Sequence, residues 1–374
     1  MLVHVNPSLG LPLRTSGPPA ARAAEEDAVT LSPTAIEKPS IRRLDVFVDP
    51  PQPVPRLPRP VLLIPGGRSR RIGLSTITHY LTHGGNNSFG GSYNVDKRTE
   101  FEATYQQHGG NVFCLHYSHK FASFEHNAAE IEQAIADIRR VTGHDEIDVV
   151  AECKGSQEFR EYISQGHDGV RNVIMMVPPN SGLPVGGDFL RILARGIQTL
   201  HLPVKKLGQI EVDRESLKAM QSFSTDWSLG PYHNNPHAHR YNSPEQVAKE
   251  QKAFHSLTVI GGDGENLFEK WGLPGFPFPS YQGDESVPKF SAYMPHGENF
   301  FYKGDRAAHA QVNSHPGALA KLAETLVSDG KPARDENFVV DPPNPAGRVV
   351  ARSALWLGSF AGRVDTIQNA LTGA

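Results

Sequence analysis

The chain has 374 residues and a mass of 40.9 kDa, enough for one large domain or two ordinary ones. Its 37 basic and 40 acidic residues leave a formal net charge of -3, which excludes a protein built around nucleic-acid phosphate contacts, since those need a strong basic excess. Two cysteines, Cys114 and Cys153, cannot staple a disulfide framework, and no apolar run approaches the roughly 20 residues that cross a bilayer. Residues 1–6 lack the basic patch and apolar run of a secretory leader, so a soluble, cytoplasmic protein is expected.

Residues 1–55 are rich in Pro, Ala, Ser and charged side chains and read as a largely disordered segment. Within it, a weak alternation over 41–48 (Leu44, Val46, Val48) is an edge-strand candidate, and the proline run at 50–55 reads as a stiff connector. An ordered domain is expected over 56–374. It opens at Val61-Leu62-Leu63-Ile64, a short apolar run stopped by Pro65-Gly66-Gly67; such runs bounded by turn residues are buried strands of a parallel sheet. The glycine-rich stretch 84–91 lacks the Gly-Lys-Ser/Thr ending of a phosphate loop and reads as a mobile loop near a site. Further strands are expected at 112–115, 147–150, 173–177 and 257–260. Helices are expected at 125–141, with Ala128, Ile131, Ala134, Ile135 and Ile138 at helical spacing, and at 156–164.

The segment 183–252 breaks this rhythm and reads as an insertion over the sheet. It begins with an apolar helix candidate, Phe189 to Leu200, suited to a lid that meets an acyl chain or a lipid surface. From 332 a Pro-rich loop leads to a helix candidate over 349–371. Strand and helix in alternation predict an α/β fold, mainly a parallel sheet with helices on both faces.

The chemistry-bearing segment is Ala151-Glu152-Cys153-Lys154-Gly155, which follows a predicted strand and precedes a predicted helix. That is the setting of a nucleophile elbow, whose usual form is Gly-x-Ser-x-Gly. Small residues flank the nucleophile because the turn is tight. Here Ala151 and Gly155 are the small residues, and a thiol stands in place of the hydroxyl. A helix N-terminus favours a thiolate.

Around this elbow the chain resembles an α/β-hydrolase of the bacterial lipase type, over about residues 59–329. Arg59 to Gly67 is similar to the lipase strand that opens the oxyanion-hole loop, with Pro65 where His is usual. Val177-Pro178-Pro179-Asn180-Ser181-Gly182 is similar to the turn those lipases carry after the next strand. Gly283-Asp284-Glu285-Ser286-Val287-Pro288 resembles the segment supplying their catalytic acid, and His309 to Asn313 the late segment carrying their histidine.

The resemblance implies an α/β-hydrolase fold with a cap or lid insertion at about 183–252. It also implies a triad of Cys153, His309 and Asp284, with His315 as the alternative base. Backbone N–H groups of Gly67 and Lys154 would form the oxyanion hole. The expected activity is hydrolysis of a carboxylic ester or thioester through an acyl-enzyme. The alternatives are a Cys-dependent acyltransferase on the same fold and a non-catalytic binding protein.

The expected partner is a small-molecule or lipid-like acyl substrate, with transient lipid-surface contact through the cap. Neither nucleic acid nor an organic cofactor is implied. His79 and His83, and the His-rich stretch 232–239, have ligand chemistry but no evident acidic partner, so no metal is expected and 232–239 reads as a solvated loop.

Overall fold

Covered on both faces, the strands at the centre of the sheet are mostly apolar. The computed structural model describes residues 47–67, 72–184, 206–207, 210–211, 224–225, 235–262 and 283–328, the last range apart from 285, 288, 295, 305 and 310. The chain runs β1 (Val61–Ile64), α1 (Ile72–Thr82), β2 (Phe89–Asn94), α2 (Arg98–His108), β3 (Val112–His116), α3 (Phe124–Thr142), β4 (Ile147–Glu152), α4 (Lys154–Ser164) and β5 (Val170–Met176). It continues with α5 (Pro236–Tyr241), α6 (Pro244–Ala253), β6 (Ser256–Gly262), a single helical turn at Lys289–Ala292, β7 (Glu298–Tyr302) and α7 (Pro316–Val327).

The seven strands form one sheet in the order β2-β3-β1-β4-β5-β6-β7. Every neighbouring pair is parallel. Alternate residues of one strand therefore feed two cores. Leu62, Ile64, Phe113, Leu115, Val149 and Ala151 face α3, whose Ala128, Ile131, Ala134, Ile135 and Ile138 form one stripe. Val61, Leu63, Val112, Cys114 and Val150 face the opposite way, onto Leu74, Ile77 and Leu81 of α1 and Leu319 and Leu322 of α7. The long helix α3 is stopped cleanly at both ends. Ser123 accepts a bond from the His126 N–H at the start, and Gly143 takes a left-handed φ of 71° at the end, as N-cap and C-cap chemistry require.

This architecture, a parallel sheet with helices on both faces and a strand–turn–helix at its centre, is an α/β fold.

Several elements differ from the sequence reading. Phe89–Asn94, expected within or beside a mobile loop, is the edge strand β2. Just before it, Asn87 is buried and ties four backbone groups together, accepting from the Leu57 N–H and donating to Val54, Pro55 and Leu81 carbonyls. Val54 and Leu57 are themselves in the core, so the proline-rich connector packs where loose attachment was expected. Phe47 and Val48 are not in a strand; the rest of the 41–48 candidate, the lid candidate 189–200 and the helix candidate 349–371 lie outside the described residues. Residues 236–241 of the His-rich stretch are helical in α5, where a solvated loop was expected.

The helix α4 is buried along nearly its whole length, including its polar residues. Two of those side chains, Arg160 and Glu161, are met from α5 and α6. Arg160 donates from Nε to Glu250 Oε1 at 3.0 Å and lies over the Tyr241 ring, while Glu161 accepts from the Tyr241 hydroxyl at 2.6 Å and pairs with Arg240. A buried ion pair costs most when one member is removed, because the other charge is left desolvated. Replacing Arg160 by Met should lower unfolding stability by about 3–5 kcal/mol, read by urea titration. Lys97→Ala, which breaks the exposed Lys97–Glu100 pair, should change it by less than about 0.5 kcal/mol.

Candidate active site

The turn from β4 into α4 places Cys153 at φ 48°, ψ -118°, a conformation strained for a residue with a Cβ. The turn is held from both sides. The Cys153 N–H donates to the Met176 carbonyl of β5 at 2.8 Å, and its own carbonyl accepts from the Ser156 N–H at 3.1 Å.

The Pro65-Gly66-Gly67 turn at the end of β1 lies directly against the elbow. A Cβ on Gly66 would stand 2.8 Å from the Cys153 Cβ and 2.9 Å from the Glu152 carbonyl oxygen. A Cβ on Gly155 would stand 2.8 Å from the Pro65 carbonyl oxygen and 2.9 Å from the Ile64 side chain. Both glycines are therefore required by close approach. The thiol itself is only partly buried.

Asp284 and His309 come from the ends of the two strands on the β7 side of β5. Asp284 follows β6 after an intervening segment outside the described residues, and His309 follows β7. Their loops are bound to each other: the His309 N–H donates to the Asp284 carbonyl at 2.7 Å, and His309 Nδ1 lies 2.8 Å from Asp284 Oδ2. The other carboxylate oxygen of Asp284 accepts from the Ser286 and Val287 N–H groups at 3.0 and 2.6 Å. Gly262 closes β6 against this pair, where a Cβ would strike the Ala307 carbonyl and approach Asp284.

His309 is buried, and burial by itself would lower its pKa. The Asp284 carboxylate, which the ring contacts, and the nearby Cys153 outweigh that and hold it well above the ordinary histidine value. The imidazole, bound to the carboxylate at one nitrogen and raised in pKa by the neighbouring Cys153, is the kind of group that can carry a proton between a nucleophile and a leaving group. His315 has a different place. It caps α7, accepting from the Ala318 N–H at 3.3 Å, with its ring 4.7 Å from that of Tyr302.

Lys154, the first residue of α4, turns its ammonium inward. It pairs with Glu158, lies 3.4 Å from the Lys120 carbonyl and sits over the Phe124 ring. Its backbone N–H is at the helix N-terminus, where the first N–H groups have no partner within the helix. Gly67 adjoins Gly66, and its Cα faces the Phe121 ring. Of the segments resembling lipase motifs, the turn after β5 also contributes. Val177 is a second strained residue, at φ 46°. Asn180 donates to the Ala292 carbonyl at 3.0 Å, which fastens the Asp284 side of the site to α4's neighbour strand.

Two side-chain groups with metal-ligand chemistry meet among the described residues. His79 of α1 and His83 just after it do find an acidic partner, Asp49, with Oδ1 2.6 Å from His79 Nε2 and 3.4 Å from His83 Nδ1. His237 meets Glu125 and Glu161. The first carboxylate was invisible in the sequence because Asp49 lies 30 residues before His79, and only tertiary contact joins them. The second cluster already carries the Arg240 cation on Glu161.

No protein-family model matches the chain, and no curated protein matches it. Among solved structures, the lin2722 gene product of Listeria innocua is similar at 14% identity, with a TM-score of 0.45, covering 76% of this chain and 96% of that one. The mature lipase BlEst2 of Bacillus licheniformis is similar at 12% identity and a TM-score of 0.41, covering 75% and 96%. A metagenomic carboxyl esterase, MGS0156, is similar at 14% identity and a TM-score of 0.40, covering 74% and 77%. Likenesses at this level transfer no residue role.

The His309 electrostatics are directly measurable. A group whose pKa is raised by anionic partners stays protonated as pH climbs through about 6.5, the ordinary histidine value. Removing a partner must lower the transition. In an NMR titration of the imidazole, the wild type should titrate highest, Cys153→Ala lower and Asp284→Asn lowest.

Proposed function

We propose that the protein is an α/β-fold hydrolase of carboxylic esters or thioesters, with Cys153 as nucleophile, His309 as proton carrier and Asp284 as the orienting acid. One observation carries this reading: the His309 ring, fixed by Asp284 at 2.8 Å, lies near enough to Cys153 on its strained elbow for that residue to raise the imidazole's pKa. A merely structural cysteine has no need of either neighbour.

In the proposed reaction the Cys153 sulfur attacks the acyl carbonyl carbon, and a C–S bond forms. The carbonyl oxygen becomes an oxyanion, met by the backbone N–H groups of Lys154 and Gly67. Collapse breaks the bond to the leaving alcohol or thiol, which takes its proton from His309. Water then attacks the thioester, giving a proton to His309. The C–S bond breaks, the carboxylic acid departs, and the thiolate–imidazolium pair is restored. Asp284 keeps the imidazole in one orientation and stabilises its charged form without itself taking the proton.

His309 is placed in this role ahead of His315 because His315 is already occupied as a helix cap. The named lipases and esterases of similar fold are consistent with an ester substrate, and a lipid-like acyl group is the substrate class proposed.

Brief exposure to p-nitrophenyl acyl esters followed by intact-mass spectrometry tests the proposal. An acyl adduct should form on the wild type, be absent in Cys153→Ala, and form about 10²–10⁴-fold more slowly in His309→Ala. Decay of the adduct in water identifies a hydrolase, and decay only with an added alcohol, amine or thiol identifies an acyltransferase. No adduct from short or long acyl esters on the folded protein would overturn the covalent reading and leave a binding role.

A further inference from the structure

His79 and His83 have no acidic residue near them in the chain, yet the fold brings Asp49 to both of them from 30 residues before His79. We propose that Asp49 Oδ1, His79 Nε2 and His83 Nδ1 are three ligands of a zinc ion, with water completing a tetrahedron. The ion would join the segment before β1 to the end of α1. None of the three residues belongs to the Cys153, His309 and Asp284 group, so the two assignments stand or fall separately.

The three ligand atoms lie within 4.8 Å of one another. Two imidazole nitrogens converge on a single carboxylate oxygen, at 2.6 Å from His79 and 3.4 Å from His83. Zinc bonds of about 2.0–2.2 Å at tetrahedral angles set nitrogen and oxygen donors roughly 3.3 Å apart. The two separations bracket that value, and side-chain adjustments on the order of 1 Å would seat the ion.

The ligands are carried on ordered supports. His83 continues the last turn of α1, its N–H donating to the His79 carbonyl at 2.9 Å. Residues four apart on a helical turn share one face, and the two rings are 5.6 Å apart. Asp49 is fixed from both sides along the chain. Val48 packs against the core that α1 covers, and Pro50 is buried. The ring of Phe47 lies 4.8 Å from that of His79.

The donor set selects the ion. Imidazole with carboxylate suits zinc, whereas magnesium and calcium take oxygen ligands. Among the described residues no Lys or Arg pairs with Asp49; the two imidazoles are its partners. A histidine of ordinary pKa, about 6.5, is mostly neutral at pH 7, so a cation is what the carboxylate lacks. The group formed by His237, Glu125 and Glu161 differs on this point, because Arg240 already sits on Glu161 and the Tyr241 hydroxyl donates to it. The side chains of His79, His83 and Asp49 keep 37%, 40% and 63% of their surface exposed, which leaves the ion an entry path and its fourth position open to water.

The test is calorimetric titration of zinc chloride into the full-length, untagged, chelator-stripped protein, paired with thermal melting. Cys153→Ala is used as the parent, since a thiol near an imidazole also takes zinc. One equivalent should bind, and at about 100 times Kd the melting temperature should rise by roughly 5 °C. Asp49→Asn, His79→Ala and His83→Ala should each weaken binding at least about tenfold and lose the rise. All three positions are on the surface, so these variants keep the core intact. His237→Ala should retain both effects, and magnesium or calcium chloride should produce neither.

No binding and no rise in the parent would overturn the site. So would zinc binding that survives all three substitutions, or that is lost with His237→Ala instead. Binding weakened by the two histidine substitutions but unchanged in Asp49→Asn would remove the carboxylate, and with it the three-ligand assignment.

Discussion

The site depends on one backbone constraint: Cys153 sits in a left-handed conformation at φ 48°, in a corner with no room for neighbouring side chains. Such a conformation costs about 1–3 kcal/mol and survives only where surrounding structure fixes it. The fixing is done by main-chain bonds to β5 and within α4, and by the close seating of β1's glycine turn on the elbow. The strain lifts the thiol out of the sheet while the helix starting at Lys154 aims its unpaired N–H groups at the same corner. Everything else in the site is arranged around that fixed point.

A wholly parallel sheet brings all its strand ends to one edge, and that edge is where chemistry gathers in α/β folds. Here β1 brings the glycine turn, β4 the thiol, and the connections after β6 and β7 the acid and the base. Three residues other than glycine have positive φ among those described, Cys153, Val177 and Arg306, and all three follow strands at this edge. Beneath it, α4 is buried, with its Arg160 and Glu161 paired to α6 and α5. Rigid support of this kind is what a site built on strand ends needs.

The central strands were legible in the sequence because burial on both faces leaves a continuous apolar run, as at Val61–Ile64 and at 173–176. The edge strand β2 was not, because Phe-Gly-Gly-Ser-Tyr-Asn looks like a loop until its register with β3 is known. Gly90, for example, is small because the Phe113 ring of β3 occupies the space a side chain would need. The helix α2 buries only Phe101, so its periodicity was too faint to read. Asn87, Asp49 and the Arg160–Glu250 pair are polar residues whose role lies in partners far along the chain, and no local pattern reveals them.

By itself the sequence determined the alternation of strand and helix, the small residues around Cys153 and the order of thiol, acid and imidazole along the chain. These are consequences of local spacing and of turns too tight for large side chains. Only the tertiary structure decided which imidazole meets Asp284. His309 and His315 lie six residues apart in one segment, yet one is bound to Asp284 and the other spends its nitrogen on capping α7. It also decided that Asp49 meets His79 and His83. The physical reason is that both depend on distances between segments far apart in the chain, which follow from sheet order and packing and are written nowhere in the local sequence.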